Sequence, residues 1–281
     1  MCRMGSATIN SDVKVIRPGS PGLFEYLAEV WKYRVLVFTF ASQELKTQYV
    51  QTKLGALWAV LRPLMVILIF TFIFDKLIHI PGLKVPYPLF AFSGLIAWNY
   101  FSYVVSAGGN AVITGQQLIR KVYFPKIILP LSKALVGLVE FAVSFALLLL
   151  LMLVMGYKPG WTIVFLPVFV FINLITGLTV AIWLNALNVR FRDINQFVPQ
   201  LIGFLIWLTP VFYPGTLVPS AYSFVLYLNP LAGIIQGYRY CILHDAAPSW
   251  QYGVAFVAVA VAFVAGLLVF IKAEDQMADY L

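Results

Sequence analysis

Residues 252–271 read YGVAFVAVAVAFVAGLLVFI, and no charged side chain interrupts them. A helix of about 20 apolar residues crosses the roughly 30 Å hydrocarbon core of a bilayer, so this stretch predicts a transmembrane helix. The composition of the whole chain agrees. Of its 281 residues, 62% are hydrophobic and only 11% are charged, a balance that would cover a soluble domain with apolar surface. The sequence therefore predicts an all-α membrane protein.

Six transmembrane helices are predicted in total. The stretch 252–271 is the last of them, and the others cover about residues 55–75, 88–107, 128–155, 161–187 and 197–213. The stretch 197–213 is short, and Pro199 and Pro210 interrupt it. We expect its helix to begin earlier, within NVRFRDINQF (188–197), because this gives it the length that a span requires.

The positions of lysine and arginine predict the orientation, because cytosolic loops carry an excess of both. With both termini in the cytosol, fifteen of the nineteen basic residues lie on the cytosolic side. The four that remain outside are Lys76, Lys84, Lys158 and Arg239. This distribution explains the net charge of +8 without nucleic-acid binding. It predicts a multi-pass protein of the bacterial inner membrane.

The N-terminal region is predicted to stay out of the bilayer core. Residues 1–22 lack the apolar core of a signal peptide and indicate a flexible cytosolic tail. Residues 23–33, LFEYLAEVWKY, place apolar side chains on one helical face and Glu25, Glu29 and Lys32 on the other. This pattern is typical of an amphipathic helix lying in the membrane interface, which we extend over 23–50.

The segment between Phe212 and Tyr252 is apolar but is broken by four prolines. Its pieces SAYSFVLYL (220–228) and PLAGIIQGYRYCIL (230–243) are too short to span. We interpret them as two re-entrant half-helices that enter the membrane from the outer face, before the last span. Irregular backbone at that depth is tolerated only inside protein or beside a water-filled cavity, which suggests a pathway.

Residues suited to catalysis are scarce. The sequence contains no GxxxxGK[ST] phosphate-binding loop, and its two histidines and two cysteines are scattered, so we expect no cofactor, no metal and no enzymatic activity on this chain. Glu140 is the one acidic residue near the middle of a span. A charge there costs roughly a few kcal/mol unless it is paired or hydrated. Glu140 is therefore either functional or a hydrogen-bonded packing residue, and both interpretations stay open.

The loop GNAVITGQQLIRKVYFPK (109–126) is predicted on the cytosolic side. Residues 116–123 fit a helix of two turns between Gly115 and Pro125. A short helix outside the membrane with polar and aromatic side chains suits docking to a partner protein. The alternative is a solvated loop, which would not require Tyr123 and Phe124 there.

Five segments carry a family resemblance. They are LGALWAVLRPL (54–64), LIRKVYFPKIILPLS (118–132), LNVRFRDINQFVPQLI (187–202), TPVFYP (209–214) and NPLAGIIQGYR (229–239). Their order resembles that of the ABC-2 type permeases that export polysaccharides, including O-antigen, capsule and teichoic acid. The resemblance runs from about Leu23 to the C-terminus, so that 23–281 would form one ABC-2 type transmembrane domain.

The resemblance implies a homodimer with two cytosolic ATPase subunits, which would bind ATP and Mg. The complex would move a lipid-linked glycan to the periplasm. Residues 116–124 resemble the helix that couples the permease to the ATPase, residues 188–196 a cytosolic gate, and residues 216–243 an outer gate. The implied coupling residues are Gln116, Gln117, Leu118, Arg120, Lys121, Tyr123 and Phe124, and the implied gate residues are Arg190, Arg192 and Asp193.

An aromatic path for the glycan is also predicted, since aromatic faces suit sugars. It would comprise Phe70 and Phe74, which share one face of the first span, and Phe204, Trp207, Phe212 and Tyr213 on the fifth. On the fifth span Phe204 and Trp207 lie in one narrow stripe at helical spacing, and Thr209 and Pro210 interrupt the helix near the outer face. The alternative is that these residues only pack helices. Two other functions stay open at this point: export of a drug or small lipid, and a membrane enzyme acting on polyprenyl-linked sugars.

Overall fold

The computed structural model describes residues 22–50, 57–73, 83, 85–188 and 193–280. Within these ranges all the regular elements are helical. The α-helices are α1 (Leu23–Lys32), α2 (Arg34–Val50), α3 (Leu57–Thr71), α4 (Tyr87–Gly109), α5 (Ala111–Thr114), α6 (Gln116–Ile119), α7 (Ile128–Val154), α8 (Leu166–Asn188), α9 (Ile194–Leu208), α10 (Ser223–Leu228), α11 (Pro230–Leu243) and α12 (Gly253–Tyr280). The prediction of an all-α chain is confirmed for the described residues.

Four helical segments of the described chain have the length and apolarity to cross a membrane. They are α4, α7, Trp161–Asn188 and Trp250–Glu274, where the last two each combine a short 3-10 turn with α8 or α12. Two further predicted spans correspond to the shorter helices α3 and α9, each of 15 residues. The predicted span 55–75 lies partly outside the described residues.

Helix α9 begins at Ile194, before residue 197 as expected, but it ends at Leu208 rather than at 213. Thr209 adopts φ −102° and ψ 136°, an extended conformation. The residue before a proline avoids the helical region, so Pro210 accounts for this end. The positions from 209 onward therefore do not follow helical spacing.

Helix α4 forms the centre of the fold. Most of its side chains are buried, and it packs against α7, α8 and α11. Small residues let α4, α8 and α11 approach one another closely. A Cβ at Gly177 of α8 would lie 2.9 Å from Val104 Cγ1, and one at Gly237 of α11 would lie 2.2 Å from the ring of Phe169. The other three membrane-length helices expose large apolar side chains, such as Leu153, Phe171 and Val261, on the outer surface. Such a surface suits a lipid environment.

The N-terminal region differs from the single helix predicted over 23–50. Tyr33, with φ −92° and ψ 13°, separates α1 from α2. The break lets the two helices pack in different places. Tyr26 of α1 contacts the C-terminal part of α12, whereas α2 runs beside α7, where Glu44 forms an ion pair of 2.7 Å with Lys133.

The segment after α9 contains two 3-10 turns, Gly215–Leu217 and Ser220–Tyr222, followed by α10 and α11. Asn229 separates the two helices and caps α11, because its side chain accepts a hydrogen bond of 3.0 Å from the Leu231 N–H. Pro230 at the first helical position favours the same start. The segment therefore forms two short helices, at the end of α4 that lies opposite the 110–127 loop. The second of them, α11, is buried against α4 and α8.

Candidate functional site: the loop between α4 and α7

Residues 110–127 connect α4 to α7 and contain α5 and α6. The predicted two-turn helix over 116–123 is wrong in extent, because α6 ends at Ile119. Helix-like hydrogen bonds continue as far as the Val122 N–H, which donates to the Leu118 carbonyl at 3.1 Å. Beyond it the chain extends through Phe124, the residue that Pro125 restricts to extended conformations.

The start of the loop is held by two asparagines of α8. The Asn185 side chain accepts a hydrogen bond from the Val112 N–H at 3.1 Å and donates one to the Gly108 carbonyl at 2.6 Å. Asn188 donates to the Gly109 carbonyl at 2.9 Å. Both asparagines are buried. They supply partners to backbone groups at the end of α4, where helices leave carbonyls unsatisfied, and so attach the loop to α8.

The end of the loop is held by Glu274 of α12. Its carboxylate accepts a hydrogen bond from the Lys126 N–H at 2.8 Å and another from the Tyr26 hydroxyl at 2.5 Å. The Lys126 ammonium in turn donates to the Glu274 main-chain carbonyl. Tyr26 is only 3% exposed, and burial together with the Glu274 charge raises the pKa of its phenol above the ordinary value. One carboxylate therefore joins α1, the loop and α12.

Apolar packing supports the same end of the loop. Phe124 is buried among Ala111, Ile128 and Leu129, and its ring lies 5.6 Å from that of Phe40 in α2. Phe124 is buried, whereas the other predicted coupling residues are exposed or half-buried. We conclude that Phe124 holds the loop in place.

The tip of the loop carries the accessible side chains. Gln117, Arg120, Lys121, Val122 and Tyr123 are exposed, whereas Gln116 and Leu118 are half-buried. A cleft of about 230 Å³ lies beside the tip, between α1 and the loop, with Tyr26, Ile119 and Tyr123 among its walls. Two cations, an aromatic ring and an apolar side chain beside a cleft suit contact with an acidic and apolar protein surface.

Of the three predicted gate residues, only Asp193 lies among the described residues. This residue is exposed and precedes α9, where a negative charge interacts favourably with the helix dipole. Arg190 and Arg192 lie outside the described residues. The three gate positions therefore remain a prediction.

The predicted aromatic path divides into two environments. Phe204 and Trp207 share the outer face of α9 and are 70% and 57% exposed. The Tyr213 hydroxyl donates to the Trp207 carbonyl at 3.1 Å, which keeps Tyr213 beside them. Phe212 is buried, and its carbonyl accepts a hydrogen bond from the Tyr87 hydroxyl at 3.1 Å.

Phe212 therefore belongs to the core and does not continue the exposed face of α9. On the first span, Phe74 and the side chain of Phe70 lie outside the described residues. An aromatic stripe across both spans stays a prediction.

Glu140 has a polar neighbour on α2. The Gln48 amide donates a hydrogen bond of 2.7 Å to the Glu140 carboxylate. This contact favours the hydrogen-bonded packing interpretation, because it links α2 to α7 close to the Glu44–Lys133 ion pair.

Asn185 and Glu274 are not among the predicted site residues, and Asn188 is predicted only as the start of the cytosolic gate segment 188–196. The two asparagines had a detectable signal, since polar residues three positions apart on an apolar span face the same neighbour. Asn173, at the same helix's other end, donates to the Ala97 carbonyl at 2.9 Å and extends this polar row along α4. Glu274 had no such signal, because an acidic residue just beyond a span is ordinarily solvated.

Comparison with known proteins gives a consistent result. The family profile described as ABC-2 type transporter matches residues 35–243. The chain is 32% identical over 262 residues to the O-antigen export system permease protein RfbA of Myxococcus xanthus, covering 92% of this chain and 99% of that protein. It is 27% identical over 248 residues to a protein of the same description from Klebsiella pneumoniae, covering 88% and 95%.

A third relative is the polysialic acid transport protein KpsM of Escherichia coli. It is 26% identical over 215 residues, which cover 75% of this chain and 82% of that protein. All three relatives are described as permease or transport proteins. Their descriptions favour transport over the membrane enzyme considered above.

Proposed function

This chain belongs to the ABC-2 type transporter family, and we propose that it is the membrane-spanning subunit of an exporter that moves a polysaccharide across the bacterial inner membrane. The observation that carries the proposal is the nearly full-length match to an O-antigen export permease. The substrate is a lipid-linked glycan of the O-antigen kind. The exposed apolar surface of α7, α8 and α12 lies in the bilayer.

The energy for transport comes from a separate ATPase, because the sequence lacks a GxxxxGK[ST] loop. The tip of the α4–α7 loop is the docking site, and Arg120, Lys121 and Tyr123 make the contact. The anchors at both ends of the loop allow it to transmit movement to the membrane helices. A displacement of the tip reaches α8 through Asn185 and reaches α12 and α1 through Glu274.

The glycan path requires two copies of the chain, because the buried side chains of α4 fill the centre of the described part of a single copy. In the proposed dimer, α3 and α9 act as the first and fifth of six spans. The exposed face of α9 with Phe204 and Trp207 lines the path, and α10 and α11 close it on the periplasmic side. Both termini are cytosolic.

Gene deletion tests the proposed function. Loss of the gene is expected to abolish surface glycan while the lipid-linked glycan accumulates inside, and a plasmid copy is expected to restore export. Normal surface glycan together with new sensitivity to drugs would contradict a polysaccharide cargo.

Charge reversal tests the docking site. The double variant Arg120→Glu/Lys121→Glu is expected to lose co-purification with the ATPase, because both cations are exposed at the tip. Lys158→Glu, an exposed cation between α7 and α8, is the matched control and is expected to retain it. Retention in the double variant would place the docking surface elsewhere.

A further inference from the structure

A cavity of about 780 Å³ lies at the end of the fold opposite the α4–α7 loop. Its walls come from the residues just before α4, from the turn that follows α9, and from α10 and α11. Val85, Phe90, Thr216, Leu226 and Arg239 are among the lining residues. Its described lining residues therefore combine apolar side chains with the basic Arg239 and the acidic Asp245.

Arg239 is buried in an unusual way. It is only 4% exposed, and its guanidinium carbon lies 3.6 Å from the centroid of the Phe90 ring. Nη2 donates a hydrogen bond of 2.7 Å to the Val211 carbonyl. Nε is buried and has no acceptor among the described residues. A guanidinium carries five N–H donors and stays protonated in proteins, and the Nε–H donor of this group is not used among the described residues.

The backbone of α4 makes room for the guanidinium. A Cβ at Gly94 would lie 2.9 Å from the Val211 carbonyl oxygen and 3.0 Å from Arg239 Nη2. These distances are shorter than normal contacts with a side-chain carbon. The helix can therefore approach the guanidinium this closely only with glycine at that position.

Arg239 forms no ion pair within the described part of the chain. Asp245 also lines the cavity, and its charge stabilises the guanidinium from beyond ion-pair distance, while its carboxylate accepts a hydrogen bond of 2.8 Å from the Ala246 N–H. His244 is exposed at the rim. A buried cation without an ion-paired anion is costly, and an anion bound nearer to Arg239 than Asp245 lowers that cost.

We propose that this cavity is a binding site for a phosphate oxyanion, with Arg239 as its main ligand. Arginine matches phosphate oxygens in charge and geometry. The apolar wall formed by Val85 and Leu226 accommodates the organic part of a phosphate ester. Two sources present this chemistry, namely a phosphate group carried by the exported molecule and the headgroup of a bilayer phospholipid. The site stands on the cavity and Arg239, independently of the proposed cargo.

Thermal unfolding in the presence of inorganic phosphate tests the site. The full-length chain in dodecyl maltoside micelles, which carry no phosphate group, is expected to show a saturable rise in Tm with phosphate, measured against sodium chloride at equal ionic strength. Phosphate also stabilises proteins non-specifically, so the variants decide the result. Arg239→Gln is expected to weaken the apparent phosphate affinity about tenfold or more, because it removes the charged donors.

Two more variants complete the test. Thr216→Trp fills the exposed side of the cavity and leaves the guanidinium in place, so it is expected to weaken phosphate binding to a similar extent. This variant tests the site even if Arg239→Gln does not fold. Lys272→Gln removes an exposed cation beside the α4–α7 loop, at the end of the fold opposite the cavity, and is expected to bind as the wild type does. Absence of a saturable response, or an equal response in wild type and Thr216→Trp, would overturn the proposal.

Micelles doped with phosphatidylglycerol separate the two sources. If this lipid raises the Tm of the wild type but not of Thr216→Trp and removes the further effect of free phosphate, the ligand is a headgroup. If free phosphate acts equally with and without the lipid, the ligand is a phosphate group that enters from solution. Both results support the site. Because binding is measured without transport, its failure leaves the export proposal standing.

Discussion

Glu274→Ala is expected to release the end of the α4–α7 loop. The substitution removes a carboxylate that accepts hydrogen bonds of 2.8 Å from the Lys126 N–H and 2.5 Å from the Tyr26 hydroxyl. A hydrogen bond to a charged group contributes about 1.5–3 kcal/mol. Two such bonds would give about 3 kcal/mol at the low end of that range. Because Glu274 is only half-buried, solvent screening reduces this to about 2 kcal/mol.

Hydrogen–deuterium exchange measures this loss directly. A decrease of about 2 kcal/mol in the local opening free energy accelerates exchange about 30-fold. We expect that acceleration at the Lys126 amide in nanodiscs containing the permease and its ATPase. ATP hydrolysis is expected to continue while export falls, because the tip can still dock but its movement is no longer transmitted to α12.

Matched variants separate the anchor from general damage. Glu274→Gln retains an acceptor for the Lys126 N–H and is expected to show a smaller acceleration. Lys272→Ala, an exposed change two residues earlier on α12, is expected to show none. An unchanged exchange rate at Lys126 in Glu274→Ala would refute the anchoring role.

Three further predictions concern topology, packing and the path. In a Cys2→Ser background, a cysteine at Lys158 is expected to react with a membrane-impermeant thiol reagent in intact cells and one at Lys121 to resist it; the opposite pattern would invert the topology. Gly237→Ala is expected to lower stability by about 1–3 kcal/mol or more in a Tm measurement, because its Cβ would lie 2.2 Å from the Phe169 ring; an unchanged Tm would contradict this packing. Trp207→Ala is expected to preserve dimer assembly and ATP hydrolysis while slowing export, since the side chain is 57% exposed in one copy; early melting with normal export would assign Trp207 to packing.

Much of the fold was predictable because a long apolar run has few alternatives to a transmembrane helix. The observed bounds of α7 and α12 differ little from the predicted spans 128–155 and 252–271, apart from the extension of α12 beyond the apolar run. The break at Tyr33 was not predictable, because the local sequence supports one continuous helix. It depends on where α1 and α2 find partners, which is a tertiary property.

The candidate site was predictable at its surface and not at its anchors. The exposure of Arg120 and Lys121 follows from their position between two spans. The anchors are contacts between residues 73 positions apart (Val112 and Asn185) and 148 positions apart (Lys126 and Glu274), and no local pattern encodes such pairs. Phe212 is a different case. The predicted fifth span runs to residue 213, but α9 ends at Leu208, so the burial of Phe212 depends on the path of the extended segment around Pro210.

The central position of α4 has a consequence for biogenesis. It is the least hydrophobic of the four membrane-length helices and the most buried. Its residues include Ser93 and Asn99, which partition poorly into lipid. Its neighbours α7, α8 and α11 all follow it in the chain, so they leave the ribosome later. The nascent α4 therefore depends on helices that do not yet exist when it reaches the translocon. Its stable insertion is expected to be completed only once α7 and α8 have joined it in the bilayer.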